Sequence, residues 1–244
     1  MSNSTLTPPC GVNMHVDVLD FGYVKAVEGW GRDESIIEAA RMSTGKGFQG
    51  WDSDAKLLAY LYNNKHATPF EMAGVIIEVK APIFVFREWH RHRTQSYNEM
   101  SARYIPLPDQ NYQPGAVAIL ERIAAAGTNK QARGTTDQVP DEWEVTTWLK
   151  ALDEAYKHAQ AVYESGLSMG IPKEIARLPV PVARYSRMRA SANLRNWLAF
   201  LTLRMAPAAQ WEIRQYANAV GQIIAGYFPR TWELFEAERA NAGK

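Results

Sequence analysis

Arg91-His92-Arg93-Thr94-Gln95-Ser96-Tyr97-Asn98-Glu99-Met100-Ser101-Ala102-Arg103-Tyr104 puts three arginines, a histidine, two serines, an asparagine and a glutamate into fourteen consecutive positions. Almost nothing in it asks to be buried, so it reads as a ligand site and not as a core element. The apolar run Ala81 to Phe86 lies just upstream. A buried element therefore delivers fixed cations and hydrogen-bond donors to one place, which is what recognition of an anionic, planar ligand requires.

Working outward, Pro82 suits the first position of a helix running to about Arg93, because its missing N–H would be unpaired there anyway. Gly74 to Lys80, with Val75, Ile76, Ile77 and Val79, predicts a strand, and the alternation of Met14 to Phe21 predicts another. Asp33 can cap a helix to about Met42, and Asp52 or Ser53 a second to about Asn63 with a stripe of Leu57, Leu58 and Leu61. After Pro108 the pattern weakens. Residues 124–139 are polar, small and aperiodic and read as a surface insertion or mobile loop. Downstream, a long helix starts at Asp141, Ala183 to Ala192 reads as strand or irregular, and helices follow over Leu194–Met205 and Pro207–Phe228. Pro229 ends the last. No linker divides the chain, which reads as a flexible arm over 1–13 and a single domain over 14–244.

With 244 residues, 46% hydrophobic and 22% charged, the chain can bury a substantial core. A net charge of +1 gives no global footprint for a nucleic-acid polymer or a membrane surface, so any anion site must be local. Cys10 is the single cysteine, which excludes an intrachain disulfide and points to a reducing cytoplasm. The first residues lack the pattern of a secretory signal, and no apolar run approaches a membrane span.

Several features invite a bland reading. Gly45-Lys46-Gly47-Phe48-Gln49-Gly50 satisfies G-x-G-x-x-G but sits between two helical segments, so it reads as a turn. His90 and His92 lie two apart and would point to nearly opposite sides of a helix, which argues against a shared metal. Glu88 could pair with Arg91 or His92 on a solvated face. That leaves Ser96, Asn98, Glu99, Ser101 and Arg103 unexplained. Arg204 lies among Leu198, Phe200, Leu201 and Leu203, so its guanidinium needs a partner, either a structural acid such as Glu212 or an anionic ligand. His66-Ala67-Thr68-Pro69-Phe70-Glu71 alone would be a capped turn.

Taken together, these residues resemble the flavin-dependent thymidylate synthases. The hallmark Arg-His-Arg, seven residues, Ser is met by Arg91-His92-Arg93 and Ser101, and the longer form RHRxxSxNExSxRY is complete from Arg91 to Tyr104. Ala39 to Ser43, His66 to Glu71, Lys80 to Phe84, Ala176-Arg177 and Gln210 to Ile213 are similar to family segments in the family order. The resemblance covers about Met14 to Pro108 and Gly166 to Phe235. It implies an α+β fold with a small, largely antiparallel sheet packed with long helices, and conversion of dUMP to dTMP. Methylenetetrahydrofolate would give the carbon and NADPH the reducing equivalents, through FAD. It further implies that Thr68, Arg91, His92, Arg93, Glu99 and Asn193-Leu194-Arg195 bind FAD. Glu88, Trp89, His90, Arg91, Glu99, Met100, Ser101, Ala102, Arg103, Arg177 and Arg204 would hold dUMP. Arg204 would be catalytic, stabilising negative charge as the uracil ionises. His66 would face the folate or flavin ring, and the active sites would be shared between subunits of a homotetramer.

Three positions depart from the family pattern: Glu88 stands where glutamine is usual, Ala199 where asparagine is common, and Ala208 where histidine is common. The 109–140 segment is also longer than or different from the family pattern and reads as a surface insertion. Two other readings make distinct predictions. A nucleotide- or RNA-binding module using Trp89, Tyr97 and Tyr104 for stacking would bind polynucleotide without flavin. A relative that keeps the fold but has lost turnover would bind ligands only.

Overall fold

The structure, a computed structural model, describes residues 14–125 and 138–242. The expected arm over 1–13 and part of the expected insertion lie outside the described residues. Five strands form one sheet in the order β1-β2-β3-β5-β4, antiparallel throughout. The strands are β1 His15–Val18, β2 Gly22–Trp30, β3 Gly74–Pro82, β4 Ser96–Glu99 and β5 Tyr185–Asn193.

The expected strand Met14–Phe21 is shorter than read and is half of a hairpin. The chain reverses after Val18, with Leu19 in the left-handed region at φ 60, and returns as β2. Period two in β2 breaks at a bulge between Ala26 and Glu28, which shifts the phase of the inward residues and hid the strand from a simple alternation test. The inward row includes Val24, Ala26, Val75, Ile77, Val79, Met188 and Ala190, all buried. Between them Tyr23, Lys25, Glu78, Lys80, Arg187 and Arg189 point to the other, wetter face.

The inward face is covered chiefly by α8 (Trp211–Tyr227), whose Ile213, Tyr216, Val220 and Ile223 are fully buried. Tyr216 donates its hydroxyl to the carbonyl of Lys80 at 2.9 Å, fixing helix against strand. α8 starts four residues after the expected Pro207, because a turn over Ala206–Gln210 intervenes. Pro229 ends α8 as expected and also opens a helix not foreseen, α9 (Pro229–Ala242). Half of its residues are polar, and it is tied down by buried Asp33, which accepts from the amides of Arg230 and Thr231 and from the Thr231 hydroxyl at 2.6 Å. Asp33 opens α1 (Asp33–Arg41), and α2 (Trp51–Asn63) packs beside it. The glycine-rich piece between them is a connection, closed by Asp54, which accepts from the Gln49 amide and pairs with Arg41.

α3 (Ile83–Trp89) begins one residue after Pro82 and stops four short of the expected Arg93. The turn that stops it is held from outside the helix. Tyr97 donates its hydroxyl to the carbonyls of Trp89 at 3.1 Å and His92 at 2.7 Å, and Trp89 Nε1 donates to Gln95 Oε1 at 3.0 Å. After β4 the chain reaches α4 (Ala116–Ala125), inside the expected insertion and packed on α5 (Glu142–Ser168). Short α6 (Lys173–Ala176) leads to β5, which runs directly into α7 (Leu194–Arg204). Among the described residues no helix is long and apolar enough to cross a membrane.

Candidate active site

Arg204 is the last residue of α7, and its guanidinium meets the C-terminal end of α3. Nε–H donates to His92 Nε2 at 2.9 Å, Nη1 to Glu88 Oε2 at 2.8 Å, and Nη2 to the Glu88 carbonyl at 2.8 Å. A cation at the ends of two helices complements the negative end of each dipole, so the fold itself favours this placement. The Arg204 side chain is 16% exposed and that of Glu88 42%, so the pair is open to solvent mainly on the Glu88 side. The expected structural acid is present but is not Glu212, which is held by Arg122 and Tyr112: Arg204 takes the carboxylate and carbonyl of Glu88, so Glu88 pairs with Arg204 instead of Arg91 or His92.

His92 packs its ring edge-on to Phe200 at 4.9 Å. Burial first, and then the Arg204 cation, push its imidazole down to about 4, against an opposing pull from Glu88. His90, two residues earlier, turns elsewhere, with Nε2 3.2 Å from Met188 Sδ and its ring against Tyr97. Trp89 is fully buried against Phe200 and Trp197, so its part in any site is to carry Glu88 and His90 on a rigid turn. Arg91 and Arg93 are exposed beside it.

At the other end of α7, Asn193 caps the helix by accepting from the Asn196 amide at 2.9 Å, and Leu194 is buried beneath it. Asn196 in turn donates to the carbonyl of Thr94 at 3.1 Å, so the hallmark segment runs alongside α7. Arg195 pairs with Glu71, at the end of the turn Thr68–Glu71. A groove of about 620 Å³ opens here, lined by His66, Phe70, Arg195, Leu198, Ala199 and Leu203 among others. Its walls are largely apolar, with Lys65, Arg195, Arg239 and Glu238 also lining it, and its size is that of an ordinary ligand pocket.

The end of the hallmark forms a third cluster. Glu99 closes β4, the amide of Met100 donates to the Arg187 carbonyl at 2.8 Å, and Ala102 is buried. Arg103 Nε lies 2.9 Å from Glu174 Oε2 on α6, and Lys173 donates to the Tyr104 carbonyl at 2.7 Å. Arg177 follows α6 as its C-cap, so Arg103 and Arg177 flank one short helix, with Ser101 nearby in sequence. Among the described residues no hydrogen bond or ion pair joins Arg103 or Arg177 to Glu88, His92 or Arg204. The candidate residues thus fall into three patches on one chain. Asn196 and Glu174 escaped sequence reasoning, and the pairing of Glu71 with Arg195 and of Phe200 with His92 did too, because only the tertiary fold shows what these residues touch.

A helix-backed antiparallel sheet with arginines gathered beside a strand edge and at helix ends is the frame on which these candidate residues sit. Residues 25–230 match the family model described as thymidylate synthase complementing protein. A flavin-dependent thymidylate synthase of Thermus thermophilus is 41% identical over 91% of this chain and 78% of its own length. One of Pseudothermotoga lettingae is 36% identical over 91% and 93%. Among solved structures, the UMP/dUMP methylase PolB from Streptomyces cacaoi, bound with 5-Br dUMP, superposes with a TM-score of 0.78 at 33% identity, covering 91% of this chain and 97% of PolB. The chain belongs to the thymidylate synthase complementing protein family, that of the flavin-dependent thymidylate synthases.

Proposed function

We propose that this chain catalyses the reductive methylation of dUMP to dTMP, with methylenetetrahydrofolate as carbon donor and NADPH as reductant through FAD. One observation carries the reading: the complete hallmark Arg91–Tyr104 lies beside α7 with Arg204 directed onto it, in a chain that belongs to the family. The residues present fit a flavin, since the groove at His66 and Arg195 combines largely apolar walls for a ring system with a cation for its phosphates. Thr68, Asn193, Leu194 and Arg195 would hold FAD at that end, with Arg91, His92, Arg93 and Glu99 completing the contacts. FAD, when bound, supplies the hydride chemistry that amino-acid side chains lack.

The protein's own residues bind and orient. Ser101, Arg103 and Arg177 offer donors for the nucleotide phosphate. The Arg103–Glu174 pair is exposed on both sides, so exchanging it for a phosphate costs little. Uracil C5 is a weak nucleophile, and Arg204 meets that need as a fixed cation that stabilises negative charge spreading over the ring. A guanidinium has donors and no acceptor, so its part is that of an electrostatic partner and not of a base. A homotetramer with sites shared between subunits accounts for the patches: the Arg103–Arg177 patch of one copy would face the Arg204 patch of another. We place the enzyme in the cytoplasm.

The test begins with colour. Purified protein should be yellow, dUMP should perturb the flavin spectrum, and tritium should leave dUMP labelled at C5 only when NADPH and methylenetetrahydrofolate are both present. A colourless preparation that ignores added FAD would overturn the reading.

A further inference from the structure

We propose that His92 is a positioning residue for Arg204: its Nε2 accepts the Arg204 Nε–H and fixes the plane of the guanidinium in which Glu88 holds the two Nη groups. The inference rests on the reading of Arg204 as the group that meets the nucleotide. It goes beyond the flavin contact that the family resemblance suggests for this histidine.

A guanidinium carries five N–H bonds. Three are committed within the chain, to His92 Nε2, Glu88 Oε2 and the Glu88 carbonyl, at 2.9, 2.8 and 2.8 Å. One N–H is left on each Nη, giving a two-pronged donor whose aim is set before any ligand arrives. Glu88 alone could not set that aim. Its carboxylate side chain is 42% exposed, so water competes for it. His92 is packed against Phe200 at 4.9 Å and sits in a turn that the Tyr97 hydroxyl ties at 2.7 Å.

The role demands one chemical state of the ring. Nε2 can accept only if it carries no proton, so the imidazole must be the neutral Nδ1–H tautomer. The charged groups that face it are Arg204 from α7 and Glu88 from α3. The imidazole is pushed well below its ordinary range by burial and by the guanidinium, so the neutral form persists at neutral pH. Nδ1–H is then the only ring donor left, which restricts any flavin contact of this residue to donation.

The experiment pairs variants with a spectroscopic readout that needs no substrate. His92→Leu removes the acceptor, and His92→Gln restores one. With FAD saturating, His92→Leu should lower kcat about 100-fold with a much smaller change in the KM for dUMP, and His92→Gln should recover about ten-fold of that loss. In parallel, 15N spectra of ring-labelled histidine should show His92 with its proton on Nδ1 from pH 8 down to about pH 5.5. A Leu variant as active as the parent, a Gln variant no better than Leu, or a proton found on Nε2 would each overturn the proposal. If the 15N spectra are as expected but the parent protein releases no tritium from dUMP, the functional reading fails while the His92–Arg204 arrangement stands.

Discussion

Arg122 of α4 and Glu212 of α8 form a partly buried ion pair across 90 residues of chain. Tyr112 completes it, receiving from Arg122 Nη2 at 3.0 Å and donating to Glu212 Oε1 at 3.2 Å, while Gln210 occupies the other carboxylate oxygen at 3.0 Å. The Arg122 guanidinium also lies over the Trp211 ring at 3.9 Å. Residues 109–125 are thus latched to the helix that covers the sheet. Arg122→Ala would leave a carboxylate that is only 8% exposed without its cation. We predict a loss of about 3 kcal/mol in urea unfolding, and partial recovery in the double variant Arg122→Met, Glu212→Met, since removing both charges spares the orphan. An Arg122→Ala protein as stable as the parent would show that the latch contributes nothing.

Arg204 separates catalysis from stability. Its partner Glu88 is 42% exposed, so water can take over the carboxylate when the guanidinium is removed. Arg204→Lys keeps the charge but replaces a planar fork by a point donor that cannot serve His92 and Glu88 together. We predict tritium release about 100-fold slower with a melting temperature within about 4 °C of the parent, a shift that corresponds to about 1 kcal/mol in a chain of this size. A Lys variant that turns over normally would remove Arg204 from its assigned role.

How much of this was legible beforehand depends on whether the signal was local. The α8 stripe of Ile213, Tyr216, Val220 and Ile223 announced a buried helix, because one face of a helix recurs at three and four residues. The hallmark was legible as a candidate site because its charges are contiguous. β4 was not, since Ser96–Glu99 is a polar edge strand that exists only through its pairing with β5. α9 was missed for a related reason: Asp33, nearly two hundred residues away, anchors its first turn. The partner of Arg204 could not be read from spacing either. Glu88 and His92 reach it only because α3 ends early, and Tyr97 and Gln95, which hold that ending, act through side-chain contacts that have no period.

Glu88 is the departure whose consequence the structure makes specific. Its carboxylate neutralises part of the Arg204 charge at 2.8 Å. Glu88→Gln would keep an acceptor for Arg204 while removing the negative charge, leaving this patch more attractive to an anionic nucleotide. We predict a dUMP KM lower by up to about 5-fold, the equivalent of about 1 kcal/mol for an exposed pair, with a larger gain at low salt. A KM that rises, or that is unchanged at low ionic strength, would contradict the charge argument.

Acid should destabilise the protein through His92 before most carboxylates are reached. The folded imidazole titrates at about 4, whereas an unfolded histidine titrates near 6.5. Between these values the unfolded chain binds a proton that the folded chain refuses, so stability falls as pH drops from about 6.5 to about 4. The gap corresponds to at most about 3 kcal/mol, less after allowance for the partial exposure of the ring. Two carboxylates extend the loss to lower pH. Glu238 is held down by its hydrogen bonds from Lys65 and Tyr62, and Asp54 by the Gln49 amide and Arg41, which outweigh its burial. Groups of that kind stabilise above their unfolded pKa and lose their contribution as pH falls through the folded one. Urea unfolding followed from pH 7 to pH 4.5 should therefore show declining stability in the parent and a shallower slope in His92→Gln, which has no proton to bind. Equal slopes would mean that His92 is charged, or solvated, in the native protein, and that the guanidinium of Arg204 is held by Glu88 alone.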